Sequence, residues 1–265
     1  MAQVDIGHVT LNVVEGGYPN GAAVVFAGAL GTDLSIWDEL WSLLPDCYRL
    51  IRYDLRGHGD SEVPAGPYSM GSLVRDAEAL LDALAVRDAV FVGLSVGGLI
   101  AQGLAVKRMD QVRALVLSGT APKIGTKAGW QDRIEAVQTG GLAAVSDDLM
   151  ARWFSRRFRA AGGDAPIRAM VERQDPEGYA GVCAAIAGTD FITPTSGLRL
   201  PTLVTVGTED RSTPPDLVRD LADLVPGSRF ELLRGAGHLP CVDSAPLFAE
   251  KLTGFLTAIG HGETA

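Results

Sequence analysis

Ala89-Val90-Phe91-Val92-Gly93-Leu94-Ser95-Val96-Gly97-Gly98 is the stretch whose reading decides the fold. From Ala89 to Leu94 the chain carries no charge and is rich in β-branched and aromatic residues, which predicts a strand buried on both faces. The run ends in Gly93-Leu94-Ser95-Val96-Gly97 and passes into a helical pattern from Gly98 to Lys107. Strand, sharp turn and helix is the context in which G-x-S-x-G forms a nucleophile elbow, a strained turn that exposes the serine Oγ. Side chains at 93 and 97 would collide where such a strand and helix cross. The helix starts just after Ser95, so its positive end faces any oxyanion formed there. A chain with 32 glycines can produce the pentapeptide by chance, but the flanking strand and helix select the elbow. Ser95 is the candidate nucleophile.

Working outward, strand patterns at Val9 to Val14 and Ala22 to Phe26, joined by the turn-rich Gly16 to Gly21, predict a hairpin. The small-residue loop Ala27 to Asp33 leads to a short helix from Ser35 to Leu44, then a strand from Tyr48 to Tyr53 and the loop Asp54 to Ser61. Leu73, Val74, Ala77, Leu80, Leu81 and Leu84 form one helical stripe between Ser72 and Val86. After the elbow, Val112 to Leu117 reads as a further buried strand. Strands alternating with helices imply parallel crossovers and an α/β fold: a mostly parallel sheet with helices on both faces. Between Pro122 and Leu198 the rhythm changes to helices only, near Ala128 to Val137, Leu142 to Phe154, Ile167 to Arg173 and Glu177 to Ala187. That predicts a helical cap at 122–198 inserted into a core made of 1–121 and 199–265. The α/β pattern resumes with Leu203 to Val206, a helix from Pro215 to Leu224, a strand from Arg229 to Leu233 and a closing helix from Ala245 to Ile259.

Composition narrows the function classes. A chain of 265 residues with 47% hydrophobic and 21% charged residues can bury one large core. No apolar run reaches membrane-spanning length, and the first residues lack a basic, then apolar, leader pattern, so the cytoplasm is the expected compartment. A net charge of −9 without a dense basic run argues against nucleic acid. Cys47, Cys183 and Cys241 are widely separated, which predicts reduced, buried thiols.

A serine hydroxyl needs a base within hydrogen-bond reach and a third group to orient that base. Four histidines are on offer. His8 falls in the first hairpin, His261 in a frayed tail, and His58 upstream of Ser95, against the chain order Ser, acid, His that accompanies an elbow. His238 remains, in the glycine-rich loop Gly235-Ala236-Gly237-His238 directly after the last strand. The acid is expected in Gly207-Thr208-Glu209-Asp210. Asp210 has the favoured spacing, Glu209 is its local competitor, and capping a helix is the alternative task for Asp210. Backbone N–H groups of Val96 and Ala29 are the candidate oxyanion hole.

With these residues placed, the chain resembles the 3-oxoadipate enol-lactonases, α/β-hydrolases of the protocatechuate branch of aromatic degradation. The likeness runs through Leu30-Gly-Thr-Asp33 with Trp37-Asp38, Arg52-Tyr-Asp54 with Arg56-Gly-His-Gly59, Gly66-Pro-Tyr68 and Gly93-Leu-Ser95 with Gly97-Gly98. It extends into the cap at Pro122 to Thr126, Trp130, Asp132-Arg-Ile134, Glu135-Ala-Val137, Ala151-Arg-Trp-Phe154 and Pro176 to Ala180. The chain departs from the family at Ala27-Gly28-Ala29, at Val96 and at Leu239 to Asp243, none of them in the triad. The resemblance implies a serine hydrolase that cleaves a small anionic lactone, 3-oxoadipate enol-lactone, with no metal or organic cofactor. That substrate bears a carboxylate, and the cap holds as many basic as acidic residues although the whole chain is acidic. Trp130, Arg133, Ile134 and Val137 share one face of the first cap helix. Arg133 is the candidate carboxylate partner and Trp130 a candidate wall. Trp153 and the arginines at 152, 156, 157 and 159 rank behind them. A carboxylesterase, a carbon–carbon bond hydrolase and a ligand-binding protein with an idle triad are the rival readings.

Overall fold

A strand that is apolar on both faces needs cover on both faces, and the computed structural model, which describes residues 1–262, supplies it with helices packed around one sheet. The elements run β1 (Ala2–Asp5), β2 (Thr10–Gly17), β3 (Ala23–Ala27), a 3₁₀ turn (Leu34–Trp37), α1 (Asp38–Leu43), β4 (Arg49–Tyr53), α2 (Met70–Ala83), β5 (Ala89–Leu94), α3 (Val96–Lys107) and β6 (Val112–Ser118). Helices alone follow: α4 (Lys127–Gly140), α5 (Ala143–Trp153), α6 (Arg156–Ala160), α7 (Ala165–Glu172), α8 (Pro176–Ala187) and α9 (Ile192–Ser196). The chain then returns to the sheet with β7 (Thr202–Gly207), α10 (Pro215–Leu224), β8 (Arg229–Leu233), α11 (Pro240–Asp243) and α12 (Ala245–Ala258).

The sheet order is β1-β2-β4-β3-β5-β6-β7-β8. The two pairings of β2, with β1 and with β4, are antiparallel; from β4 through β3 to β8 every pairing is parallel. Every residue of β3, β5 and β7 is buried, as the mostly parallel sheet expected from the sequence requires. Among the described residues no helix is long and apolar enough to cross a membrane.

The expected hairpin between β2 and β3 does not form. β4 lies between them, antiparallel to β2 through Val13 and Tyr53 and parallel to β3 through Val25 and Ile51. The glycines of the connection serve close approach to the β4 end of the chain. A Cβ on Gly17 would overlap the carbonyl oxygen of Tyr48, and one on Gly21 that of Cys47. Tyr18 N–H donates to Tyr48 O, and Arg49 N–H donates to Ala22 O. Turn composition is local information, whereas strand order is set by which crossover returns beside which strand. β1, an edge strand exposed along most of its length, has no apolar alternation and was not expected.

Two further expectations change. His261 is not frayed: it is buried, its Nε2 lies 3.0 Å from Ala23 O, and its ring stacks on Tyr48. The remainder of that expected tail, 263–265, lies outside the described residues. All three cysteines are free, but Cys47 is exposed while Cys183 and Cys241 are buried.

One buried charge cluster ties three separate segments together. Arg56, in the loop after β4, donates from Nε to Asp76 Oδ2 at 2.5 Å and also pairs through Nη2 with Asp76 Oδ1. Asp76 sits on the inner face of α2, and His8 Nε2 from the β1–β2 turn lies 2.9 Å from its Oδ1. Removing one partner of such a pair leaves a desolvated charge without compensation. Asp76→Ala is therefore expected to lower the unfolding free energy by about 3–5 kcal/mol, measured by urea denaturation; a loss within error of zero would contradict the cluster's structural role.

Candidate active site

β5 delivers the chain to Ser95 at φ 58° and ψ −114°, a conformation that an L residue adopts only when its surroundings impose it. Three hydrogen bonds to its own peptide groups impose it. Ser95 N–H donates to Ser118 O at 3.0 Å, and Ser95 O accepts from Gly98 N–H at 3.0 Å and from Thr120 Oγ1 at 2.7 Å. A Cβ on Gly93 would overlap the carbonyl of Gly97, and one on Gly97 would overlap that of Ala27. The glycines thus let β5, α3 and the end of β3 meet backbone to backbone. Gly97 N–H donates to Gly28 O at 3.2 Å, which brings the loop holding Ala29 beside the start of α3. Ala29 and Val96 are both buried there, next to Leu30 and Ser95. As the first residue of α3, Val96 has an N–H without an acceptor inside the helix.

β7 and β8 end in the loops that carry the other two candidates. His238 Nδ1 lies 2.8 Å from Asp210 Oδ2, and both side chains are almost wholly buried. Asp210 Oδ1 accepts the N–H groups of Ser212 and Thr213 at 2.8 and 2.9 Å, so one oxygen closes the local turn while the other faces the imidazole. Asp210 thus closes a turn and faces the imidazole, and it does not take the helix-capping task that the sequence also allows. α10 starts beyond this turn, with Pro214 at its N-cap position. Glu209 is exposed. With Nδ1–H donated to the carboxylate, the assigned tautomer leaves Nε2 as an acceptor.

Three neighbours of this pair were not singled out by sequence. Thr213 Oγ1 donates to Asp210 Oδ2 at 2.9 Å and lies 3.3 Å from His238 Nδ1. Gly119, at φ 50°, leaves room for the pair, since a Cβ there would stand 3.1 Å from His238 Nδ1. Asp243 Oδ2 accepts Gly237 N–H at 2.6 Å and so pins the residue before the histidine; burial pushes its carboxyl up to about 6. Only Thr213 had a local signal, a hydroxyl residue three positions after the acid.

Ser95 and His238 line one cavity of about 330 Å³, together with Trp130, Arg133, Arg152 and Trp153 from the helical insertion. No hydrogen bond joins Ser95 Oγ to His238 among the described residues; such bonds often close only around a bound substrate. Trp153 is buried, stacks on the His238 ring at 6.2 Å, and accepts the His238 N–H on its carbonyl at 2.7 Å. Trp130 is fixed by an Nε1–H bond to Ile124 O at 2.7 Å, and the Arg133 guanidinium lies over its ring. The shared face expected on α4 divides: Trp130 and Arg133 reach the cavity, while Ile134 and Val137 pack into the core. Arg152, ranked low from sequence, lines the cavity; the arginines at 156, 157 and 159 do not. It lies three residues after Leu149, which also lines the wall, so the two share a face of α5. Among the lining residues none is acidic.

Comparison with known proteins gives concordant results. Residues 24–251 match the model of the alpha/beta hydrolase family. The chain is 34% identical to 3-oxoadipate enol-lactonase 2 of Acinetobacter baylyi over 245 residues, 91% of this chain and 90% of that protein. It is 28% identical to the pimeloyl-[acyl-carrier protein] methyl ester esterase of Vibrio cholerae, over 89% of this chain and 95% of that one. The crystal structure of the enol-lactonase from Burkholderia xenovorans LB400 superimposes with a TM-score of 0.93 at 35% identity, covering 97% of this chain and 100% of that chain.

His58, excluded as a base by chain order, braces the loop that carries Ala29. Its Nε2 accepts Gly31 N–H at 2.9 Å, its Nδ1 lies 3.3 Å from Arg56 O, and its ring stacks over Tyr179 of α8. Accepting on one nitrogen while donating from the other requires the neutral imidazole. Burial pushes its pKa down to about 4. The unfolded chain takes up this proton first, near 6.5. The stability from His58 is thus complete above about 6.5 and is lost as pH falls from there towards about 4. Comparison of the wild type with His58→Gln by denaturation at stepped pH is expected to show a difference that shrinks by on the order of 3 kcal/mol between pH 7 and pH 4. A difference independent of pH would contradict the brace.

Proposed function

We propose that this chain, which belongs to the alpha/beta hydrolase family, is a serine hydrolase that opens the ring ester of 3-oxoadipate enol-lactone to give 3-oxoadipate. The observation that carries the reading is the composition of one cavity wall: Ser95 and His238 stand in it with two arginines and no carboxylate, in a chain of net charge −9. A small anionic ester fits that wall, and the likeness to two enol-lactonases supports the choice of ester.

In the proposed mechanism Ser95 Oγ attacks the lactone carbonyl while His238 Nε2 takes its proton. Asp210, across the 2.8 Å contact with Nδ1, holds the tautomer and stabilises the imidazolium. The oxyanion rests on the N–H groups of Val96 and Ala29. Collapse breaks the ring C–O bond, and His238 returns the proton to the departing enol oxygen. That enol tautomerises to a ketone, which makes it a good leaving group. Water, deprotonated by His238, then attacks the acyl-enzyme; the proton goes back to Ser95 and the new carboxylate leaves. Arg133 would hold the substrate carboxylate, with Trp130 and Trp153 as walls. Residues 122–198 would act as the cap domain over the core of 1–121 and 199–265. No step calls on a metal or an organic cofactor.

The test is ultraviolet loss of the enol-lactone chromophore, set against a nitrophenyl ester and a ring-cleavage dienoate. Preferential turnover of the lactone is expected. A kcat/KM higher for either alternative would place the enzyme among the carboxylesterases or carbon–carbon bond hydrolases. Ser95→Ala is expected to reduce lactone turnover by on the order of 10⁴-fold or more. Arg133→Ala should raise KM about tenfold with a smaller effect on kcat; an unchanged KM would remove Arg133 from the site.

A further inference from the structure

The sequence ranks Arg133 first as a partner for a substrate anion and Arg152 behind it, yet the two guanidiniums converge on the same carboxylate. Arg133 Nη2 lies 3.2 Å from Asp148 Oδ2, and Arg152 Nε lies 2.9 Å from Asp148 Oδ1. Arg152 Nε is also 2.9 Å from Oδ2, so the two guanidiniums share that oxygen and grip one carboxylate between them, as two arginines can grip a ligand carboxylate. Arg133 and Arg152 line the cavity that holds Ser95 and His238, whereas Asp148 is not part of its wall. We propose that Arg133 and Arg152 form a two-guanidinium seat for a single substrate carboxylate, that Asp148 is its exchangeable resident, and that the seat makes the enzyme selective for esters and lactones bearing one carboxylate. The proposal rests on the reading of the cavity as a hydrolase site and names the feature of the substrate that the site selects.

Charge and exposure explain why the exchange is easy. The Asp148 and Arg152 side chains are 51% and 49% exposed, so their ion pair is screened and weak, and the carboxylate can turn to solvent. Arg133, 17% exposed and seated over Trp130 at 5.5 Å, keeps its place when Asp148 leaves. No acidic residue of the cavity wall competes for either guanidinium. Two arginines and one aspartate carry a net charge of one unit, which a monoanion neutralises and a neutral ester does not.

Spacing to the reacting bond is built into α5. Arg152 is followed directly by Trp153, whose carbonyl accepts the His238 N–H at 2.7 Å and whose ring stacks on the imidazole. Arg152 O accepts Arg211 N–H at 3.1 Å, in the turn that follows Asp210. One arm of the seat and the contacts that hold the base therefore sit at the same end of one helix, while Arg133 comes from α4. A carboxylate bound by the arginines is held at a fixed reach from Ser95, and selection acts on the length between carboxylate and ester as well as on charge.

The test uses mono-4-nitrophenyl glutarate and its methyl ester, two probes that differ in charge at one end. The readout is the ratio of their kcat/KM values. The wild type is expected to favour the anionic probe by about tenfold or more, the effect of one charge-assisted hydrogen bond. Arg152→Gln should cut that ratio about tenfold, and Asp148→Asn, which removes the competing carboxylate, should raise it severalfold. Both positions are half exposed, and a thermal melt of each variant checks that the fold is kept. A ratio unchanged by Arg152→Gln, or one unchanged or lowered by Asp148→Asn, overturns the seat. Lactone turnover by the wild type separates the two claims. The predicted ratios without lactone turnover would keep the seat and discard the lactone, and lactone turnover with unaltered ratios would do the reverse.

Discussion

The backbone crossing of β5 and α3 is the constraint on which the rest of the molecule depends. It holds Ser95 at a positive φ, a strain worth about 1–3 kcal/mol, and that strain persists because bonds from Ser118, Thr120 and Gly98 leave the peptide no other position. The same crossing leaves no space for side chains at 93 and 97, and it draws the end of β3 against the first turn of α3 through Gly28 and Gly97. One packing requirement therefore positions the serine, the first N–H groups of the helix and the loop of Ala29. His58 carries that constraint outward, because its bond to Gly31 fixes the far side of the same loop.

A second dependence links the helical insertion to His238. His238 is held from the sheet side by Asp210 and, at the residue before it, by Asp243. From the insertion side it is held by Trp153, through both ring and carbonyl. The insertion is thus attached to the proposed chemistry by hydrogen bonds as well as by enclosing space. Residues that change the shape of α5 would move the imidazole as well as the pocket.

Much of this was legible because the signals are local. A strand buried on both faces reads as an unbroken apolar run, and β3, β5 and β7 are such strands. The elbow is written in consecutive residues, and the order of Ser95, Asp210 and His238 along the chain left one histidine in position to pair with the acid. What stayed hidden depends on contacts between distant segments. β4 displaced the expected hairpin because glycines at 17 and 21 allow close approach to Cys47 and Tyr48, which composition cannot distinguish from turn formation. The sequence around His261 reads as tail, and it is Tyr48 and Ala23, distant in the chain, that bury it. Arg152 lay in a run of arginines that composition assigns to solvent, and only the packing of α5 turns it, and not its neighbours, into the cavity.

The proposed chemistry requires Ser95 to become a nucleophile through His238, and active-site phosphonylation followed by peptide mass spectrometry tests this most directly. A fluorophosphonate is expected to label the wild type once per chain, on the peptide containing Ser95, and to leave a His238→Ala variant of intact fold unlabelled over the same period. Labelling at another residue, or labelling of Ser95 at an equal rate without the imidazole, would contradict it.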